Sequence, residues 1–142
     1  MHKIVVGVDG SDGSRAALRW AWAEAQAHGA ALEVVTAWQY PITTSLPAFG
    51  SMPTPDDLEG EARQAMLAVV AEEGITAEAG VTVTTLVAEG TAAQALLGAA
   101  EEADLLVVGS RGHGGFAGLL VGSVSQQCVS HAKVPVVVVH PR

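Results

Sequence analysis

The 142-residue sequence contains a single cysteine, Cys128, so neither an internal disulfide nor a multi-cysteine metal site can be built from it. No apolar run approaches the roughly 18 residues of a membrane-spanning helix. The opening MHKIVVGVDGSD meets Gly and Asp too early for the apolar core of a secretory signal. From these absences we expect a soluble, cytoplasmic chain with no membrane partner. No Gly-Lys pair occurs, which removes the phosphate loop that ends in Gly-Lys-Ser/Thr. No basic run occurs either, and at a net charge of −8 this argues against nucleic acid as a partner. The most informative absence is regional. All fifteen acids lie at or before Asp104, and residues 105–142 carry Arg111, Lys133 and Arg142 without a single Asp or Glu. An anion would meet no side-chain carboxylate there.

What is present is a regular alternation. Hydrophobic residues make up 49% of the chain, enough for a full core, and the length predicts one domain over 1–142. Short Val/Ile-rich runs predict strands at 3–8, 31–38, 81–87, 105–108 and 134–139. Between them, helices are predicted at 12–28 with Ser11 or Asp12 as cap, at 55–74 with Pro55 near the first helical position, at 91–102 with Thr91 as cap, and at 123–132. In the first helix Ala16, Trp20, Ala23 and Ala27 recur on one face, which predicts Trp20 in the core and Trp22 partly exposed. Residues 39–54 hold three of the six prolines and no charge, and form a long loop, either a lid or a mobile segment. The β-α alternation predicts an α/β fold, a doubly wound five-stranded parallel sheet with helices on both faces. Ligands bind such sheets at the strands' carboxyl ends, where strand order reverses. VGVDGSDGS after the first strand and VVGSRGHGG after the fourth would line one crevice if those strands are neighbours.

GSRGHGGFAGLLVGS, residues 109–123, has six glycines in fifteen positions. The loose G-x-G-x-x-A match at Gly112–Ala117 follows the wrong strand for a dinucleotide fingerprint, and no acid follows it to bind a ribose. The turn Asp9–Ser14 lacks the paired glycines of an ATP pyrophosphatase loop. Gly109 and Gly112, then Gly122-Ser123 after nine residues, fit a different chemistry. Glycine lets the backbone approach a ligand in conformations closed to other residues. Successive amides then form an anion nest, and a helix start adds unpaired N–H groups and a positive dipole end. Ser123 and Ser125 add hydroxyls, and Arg111 and His113 project cationic or polar side chains from the loop. Polyphosphate suits this set; a glycine-rich surface loop is the plainer alternative. Asp9 is either a ligand contact or a helix cap. Cys128 reads as a small core residue on a helix.

The whole chain resembles a single-domain universal stress protein. IVVGVDGS at the start, G-x-x-G-x9-G-[ST] at Gly109–Ser123 and the VPVVVV ending carry the likeness. In that family the spaced glycine pattern separates the ATP-binding branch from the branch that lacks it. The resemblance implies an ATP site with Gly7, Val8, Asp9, Gly10 and Ser11 against the nucleoside and Ala37 at the adenine edge. Gly109, Ser110, Arg111, Gly112, His113, Gly114 and Gly115, with Gly122, Ser123, Val124 and Ser125, would hold ribose and phosphates. Mg²⁺ would travel with the phosphates, since no carboxylate cluster forms a cage of its own. An apolar final strand at a sheet edge calls for a cover, and the family resemblance implies a homodimer built through it.

Three functions stay open on these residues: a nucleotide-dependent regulator or sensor with little or no turnover, a slow ATPase, and an interaction module without nucleotide. Hydrolysis needs a group to orient water near the γ-phosphate. Only Gln126 and Gln127 offer one after Asp104, which ranks the regulator first.

Overall fold

In the computed structural model, residues 1–40, 53–77, 80–110 and 122–141 are described. The elements run β1 (Lys3–Gly7), α1 (Asp12–His28), β2 (Ala31–Trp38), α2 (Pro55–Glu72), β3 (Val83–Glu89), α3 (Ala92–Ala100), β4 (Leu105–Gly109), α4 (Ser123–His131) and β5 (Val136–Val139). All five strands join one parallel sheet in the order β3-β2-β1-β4-β5. The expected neighbours are therefore adjacent: Ile4–Val6 pair with Leu105–Val107. Chain order runs one way from β1 through β2 to β3 and the other way from β4 to β5, so sheet order reverses between β1 and β4. Past Val6 the β1–β4 ladder ends, while the Val8 N–H still donates to the Val35 carbonyl at 2.9 Å. The crevice opens there.

Two apolar layers sandwich the sheet. On one face Ile4, Val6, Leu32, Val34 and Val107 pack with Ala17, Leu18 and Ala21 of α1 and Met66 and Val69 of α2. On the other, Val5, Val35, Leu106 and Val108 pack with Leu96 and Ala100 of α3 and Cys128 of α4. β1 sits at the centre, and Ile4, Val5 and Val6 are fully buried. That suits a β-branched run in a strand covered on both sides. Cys128 belongs to this core, and burial pushes its thiol up to about 11.

Local chemistry explains the boundaries. Ser11 caps α1 by accepting the Ser14 N–H, and Gly29 closes it at φ 64°. Thr54 with Asp57, and Thr91 with Gln94, form reciprocal capping boxes at α2 and α3. Gly74 turns at φ 71°, so α2 stops at Glu72 rather than at residue 74. β3 begins at Val83 and β5 at Val136, each two residues later than their apolar runs begin.

One expectation is corrected. The buried face of α1 is Ser14, Ala17, Leu18, Ala21 and Ala25, whereas Ala23 and Ala27 are exposed and Trp20 and Trp22 are half-buried. Two alanine-rich stripes share this helix, and the core takes the one containing Leu18. The close approach to the sheet favours small side chains over indoles. The 39–54 loop lies mostly outside the described residues, which resume at residue 53.

Candidate functional site

The carboxyl ends of β1 and β4 border a cavity of about 330 Å³. Its floor is Gly7–Ser11, Val108 and Gly109; Val35, Thr36 and Ala37 form the β2 side. Ala62, Ala65, Met66 and Val69 of α2 make one wall, and Ala92 and Leu96 of α3 with Val124 of α4 the other. Most of this lining is aliphatic. Asp9 is the one charged side chain among the described lining residues.

A dense set of hydrogen bonds sets the β1–α1 turn. Asp9 Oδ1 accepts the Ser11 N–H at 2.9 Å and the Ser11 hydroxyl at 2.5 Å. The Asp9 N–H donates to Ser14 Oγ at 3.2 Å, and Ser14 Oγ donates to the Ser11 carbonyl at 3.1 Å. Gly10 between them has φ 83°, a region that disfavours side chains. Thr36 Oγ1 ties β2 to this turn by donating to the Val8 carbonyl at 2.8 Å. The turn is thereby fixed with Asp9 exposed at the cavity.

Gly109 lines the cavity, but its missing side chain answers first to α1. A Cβ there would lie 2.6 Å from the Gly13 carbonyl carbon and 2.7 Å from its oxygen. Its φ is not among the positive values of the described glycines. The glycine is needed for strand–helix approach, not for the unusual backbone conformation that the glycine-rich spacing predicts.

The start of α4 is unlike the other three helices. Gly122 is its N-cap and supplies no side-chain hydrogen bond. The Gly122 N–H donates to the Ser110 carbonyl, which joins the end of β4 to the beginning of α4. Ser125 is buried, and its hydroxyl donates to the carbonyls of Gly122 at 3.0 Å and Ser110 at 3.3 Å. Three residues inside a helix, a serine hydroxyl readily bonds back to its own main chain. Ser123, by contrast, is exposed at the first helical position.

Of the sequence-predicted site, the structure brings Gly7, Val8, Asp9, Gly10, Ser11, Ala37, Gly109 and Val124 around one cavity. Ser110, Gly122, Ser123 and Ser125 stand beside it without lining it. Arg111, Gly112, His113, Gly114 and Gly115 lie outside the described residues. Sequence reasoning missed the α2 and α3 walls. Met66 and Val69 carry the spacing of an ordinary core face, and nothing local distinguishes a residue facing a cavity from one facing a strand.

Next to α2's end, Arg15 Nη2 lies 3.0 Å from Glu72 Oε2, and Arg19 Nη1 lies 2.9 Å from Glu73 Oε2. Arg15 Nη1 also reaches Glu73 Oε1 at 3.4 Å. The Arg19 hydrogen bond holds the Glu73 carboxyl below its ordinary range against the opposing cost of burial, with Arg15 adding to the effect.

The family model described as universal stress protein family matches residues 1–140. The chain belongs to the universal stress protein family. A universal stress protein of Thermus aquaticus is 39% identical over 139 residues, spanning 96% of both chains. One from Mycolicibacterium smegmatis is 37% identical over 144 residues, covering 98% of this chain and 48% of that protein. The chain thus spans about half the length of several curated relatives it matches. Among solved structures, a universal stress protein described as in complex with cAMP is 34% identical, with a TM-score of 0.70 and coverage of 99% and 98%. Universal stress protein UspA from Lactobacillus plantarum is 25% identical, with a TM-score of 0.76 and coverage of 97% of both chains. No helix among the described residues is long and apolar enough to cross a membrane.

Proposed function

We propose that this chain binds an adenine nucleotide, ATP with its Mg²⁺, and acts as a nucleotide-dependent regulator in a cytoplasmic stress response with little or no turnover. The observation that carries the reading is the aliphatic cavity at the β1–β4 divergence. Its volume of about 330 Å³ falls within the range of small-molecule sites. Val35, Met66, Leu96 and Val124 suit the faces of a base and a ribose, and Asp9 and the backbone near Ala37 supply polar edges. The relative whose structure is described as a cAMP complex supports a ligand of this class.

The phosphates would extend toward α4. Its first turn has no side-chain cap, and the N–H groups of Ser123 to Ser125 have no intrahelical partners. Gly109 and Ser110 lead into the glycine-rich segment with Arg111 and His113. Among the described residues no cluster of three or more His, Cys, Asp or Glu forms a metal site, so Mg²⁺ would be held chiefly through the phosphates. The aliphatic walls and single carboxylate offer little to orient an attacking water, which favours retention over hydrolysis. The half-exposed valines of β5, at the sheet edge, support a homodimer joined along that strand.

Titration calorimetry of Mg-ATP, and separately of cAMP, into nucleotide-free protein tests the reading. Saturable heat with phosphate release far below one per second is the expected outcome. Absence of heat from both ligands leaves the interaction-module function instead, and release at several per second makes the protein an ATPase. Gly122→Glu places a carboxylate at the uncapped helix start. It is expected to abolish Mg-ATP binding while the circular dichroism spectrum and melting transition are retained.

A further inference from the structure

Among the described residues, the cavity wall built by α2 meets the core through a short run of side chains, Met66 and Val69 with the half-buried Ala62 and Val70. Of the eighteen residues of α2 only Met66 and Val69 are buried, and both line the cavity. No residue from Pro55 to Ala65 is buried, and of the described residues in this half only Ala62 is among the half-buried apolar side chains packed on the core. At its other end the Glu73 N–H donates to the Val69 carbonyl at 3.0 Å. Glu73 is therefore one hydrogen bond from the wall. Its carboxylate receives Arg19 through both oxygens, at 3.0 and 2.9 Å, and Arg15 at 3.4 Å, while Arg15 also holds Glu72. Arg15 adjoins Ser14, the residue that bonds the Asp9 N–H on the opposite side of the cavity. The ion cluster thus bridges the floor turn, through the first turns of α1, to the wall of α2.

We propose that Arg15, Arg19 and Glu73 are positioning residues for the nucleotide cavity, setting the separation between the α2 wall and the β1–α1 turn that a bound nucleoside requires. The inference rests on the nucleotide reading above. None of the three side chains lines the cavity, so they act through Met66 and Val69. A wall that spends part of its time displaced lowers apparent affinity in proportion to the fraction of time it is in place. Ionic strength weakens partly exposed ion pairs, and Arg19 is 56% exposed while Glu73 is 14% exposed. Binding of a neutral nucleoside should then depend on salt, although the ligand itself carries no charge.

The test is adenosine and Mg-ATP affinity of the full chain and of Glu73→Gln at low and high sodium chloride, with amide hydrogen exchange read over α2. The expected result is adenosine affinity about fivefold weaker in Glu73→Gln, on the scale of an exposed ion-pair network. Exchange should rise over residues 62–70 and stay unchanged in α3 and α4. The salt dependence of adenosine binding in the parent chain should weaken in the variant, where of this cluster the Arg15–Glu72 pair alone remains. Arg19→Ala, which removes a mostly exposed side chain, should reproduce the effect if Glu73→Gln impairs folding. Unchanged affinity and unchanged salt response in a folded variant overturn the inference while the nucleotide reading stands. Failure of the parent chain to bind either ligand overturns both.

Discussion

At the scale of single residues, Asp104 shows how one carboxylate can tie two strands. Its Oδ2 accepts the N–H groups of His2 at 2.7 Å and Lys3 at 3.0 Å, and its own N–H donates to the Lys3 carbonyl at 2.9 Å. The two backbone donors, His2 first and then Lys3, hold its carboxyl below the ordinary aspartate value of 3.8. A carboxylate whose pKa falls on folding stabilises the protein at pH values above its unfolded pKa. That contribution is lost as pH drops through the lower folded value. Urea unfolding between pH 2 and 6 should therefore show Asp104→Asn destabilised near pH 6, with the difference from the parent shrinking as acid is added. A difference that is constant with pH would assign the effect to packing instead. Asp104 also illustrates what a sequence hides. It is the last acid of the chain, and its bonds to residues more than a hundred positions away give no local signature.

At the scale of elements, caps and strand runs were legible because their causes are local. Ser11 and Thr91, two caps offered by the sequence, each accept an N–H from three residues onward, and Thr54, just ahead of Pro55, does the same. The parallel strands followed from Val/Ile runs between helices, whereas the β1–β4 adjacency, left conditional by the sequence, is supplied by the sheet and places two of the quoted loops at one crevice. Orientation was harder. α1 offers two alanine stripes, and only the sheet decides between them. The α2 wall was illegible for a related reason, since apolar periodicity reports burial and not what lies opposite. The glycine-rich stretch was read for its ligand, yet Gly109 is constrained by packing of β4 against α1. That contact carries a prediction. Gly109→Ala puts a methyl group 2.6 Å from the backbone of Gly13, where no flexible side chain can yield. A loss of about 1–3 kcal/mol in denaturant unfolding is expected, the usual cost of forcing a methyl group into a packed interior. Gly7→Ala should cost less, because its new Cβ would meet the movable tip of Leu96.

At the scale of the whole molecule, the sheet has two edges of different character. β3 exposes Thr84, Thr85 and Leu86, mostly polar, whereas β5 is four valines, each half-buried. The Pro135 carbonyl accepts the N–H of Leu106 in β4 and the Val139 carbonyl that of Ser110 just past it, so by strand alternation the backbone groups of Val136 and Val138 point away from the sheet. Val138→Pro removes an outward donor and spares the β4 ladder. If the proposed homodimer joins along this strand, sedimentation equilibrium should report a dimer for the parent chain at micromolar concentration and a monomer for the variant. A monomer in both cases would reject the β5 dimer.

The two central strands also differ between their ends. Asp104 stitches β1 to β4 at the amino edge, and past Val6 the partners diverge. The pair resembles tongs, riveted at one tip and open at the other. Stiffness and receptivity thus occupy opposite poles of the strand axis, and the grasping pole can be rewritten without loosening the rivet.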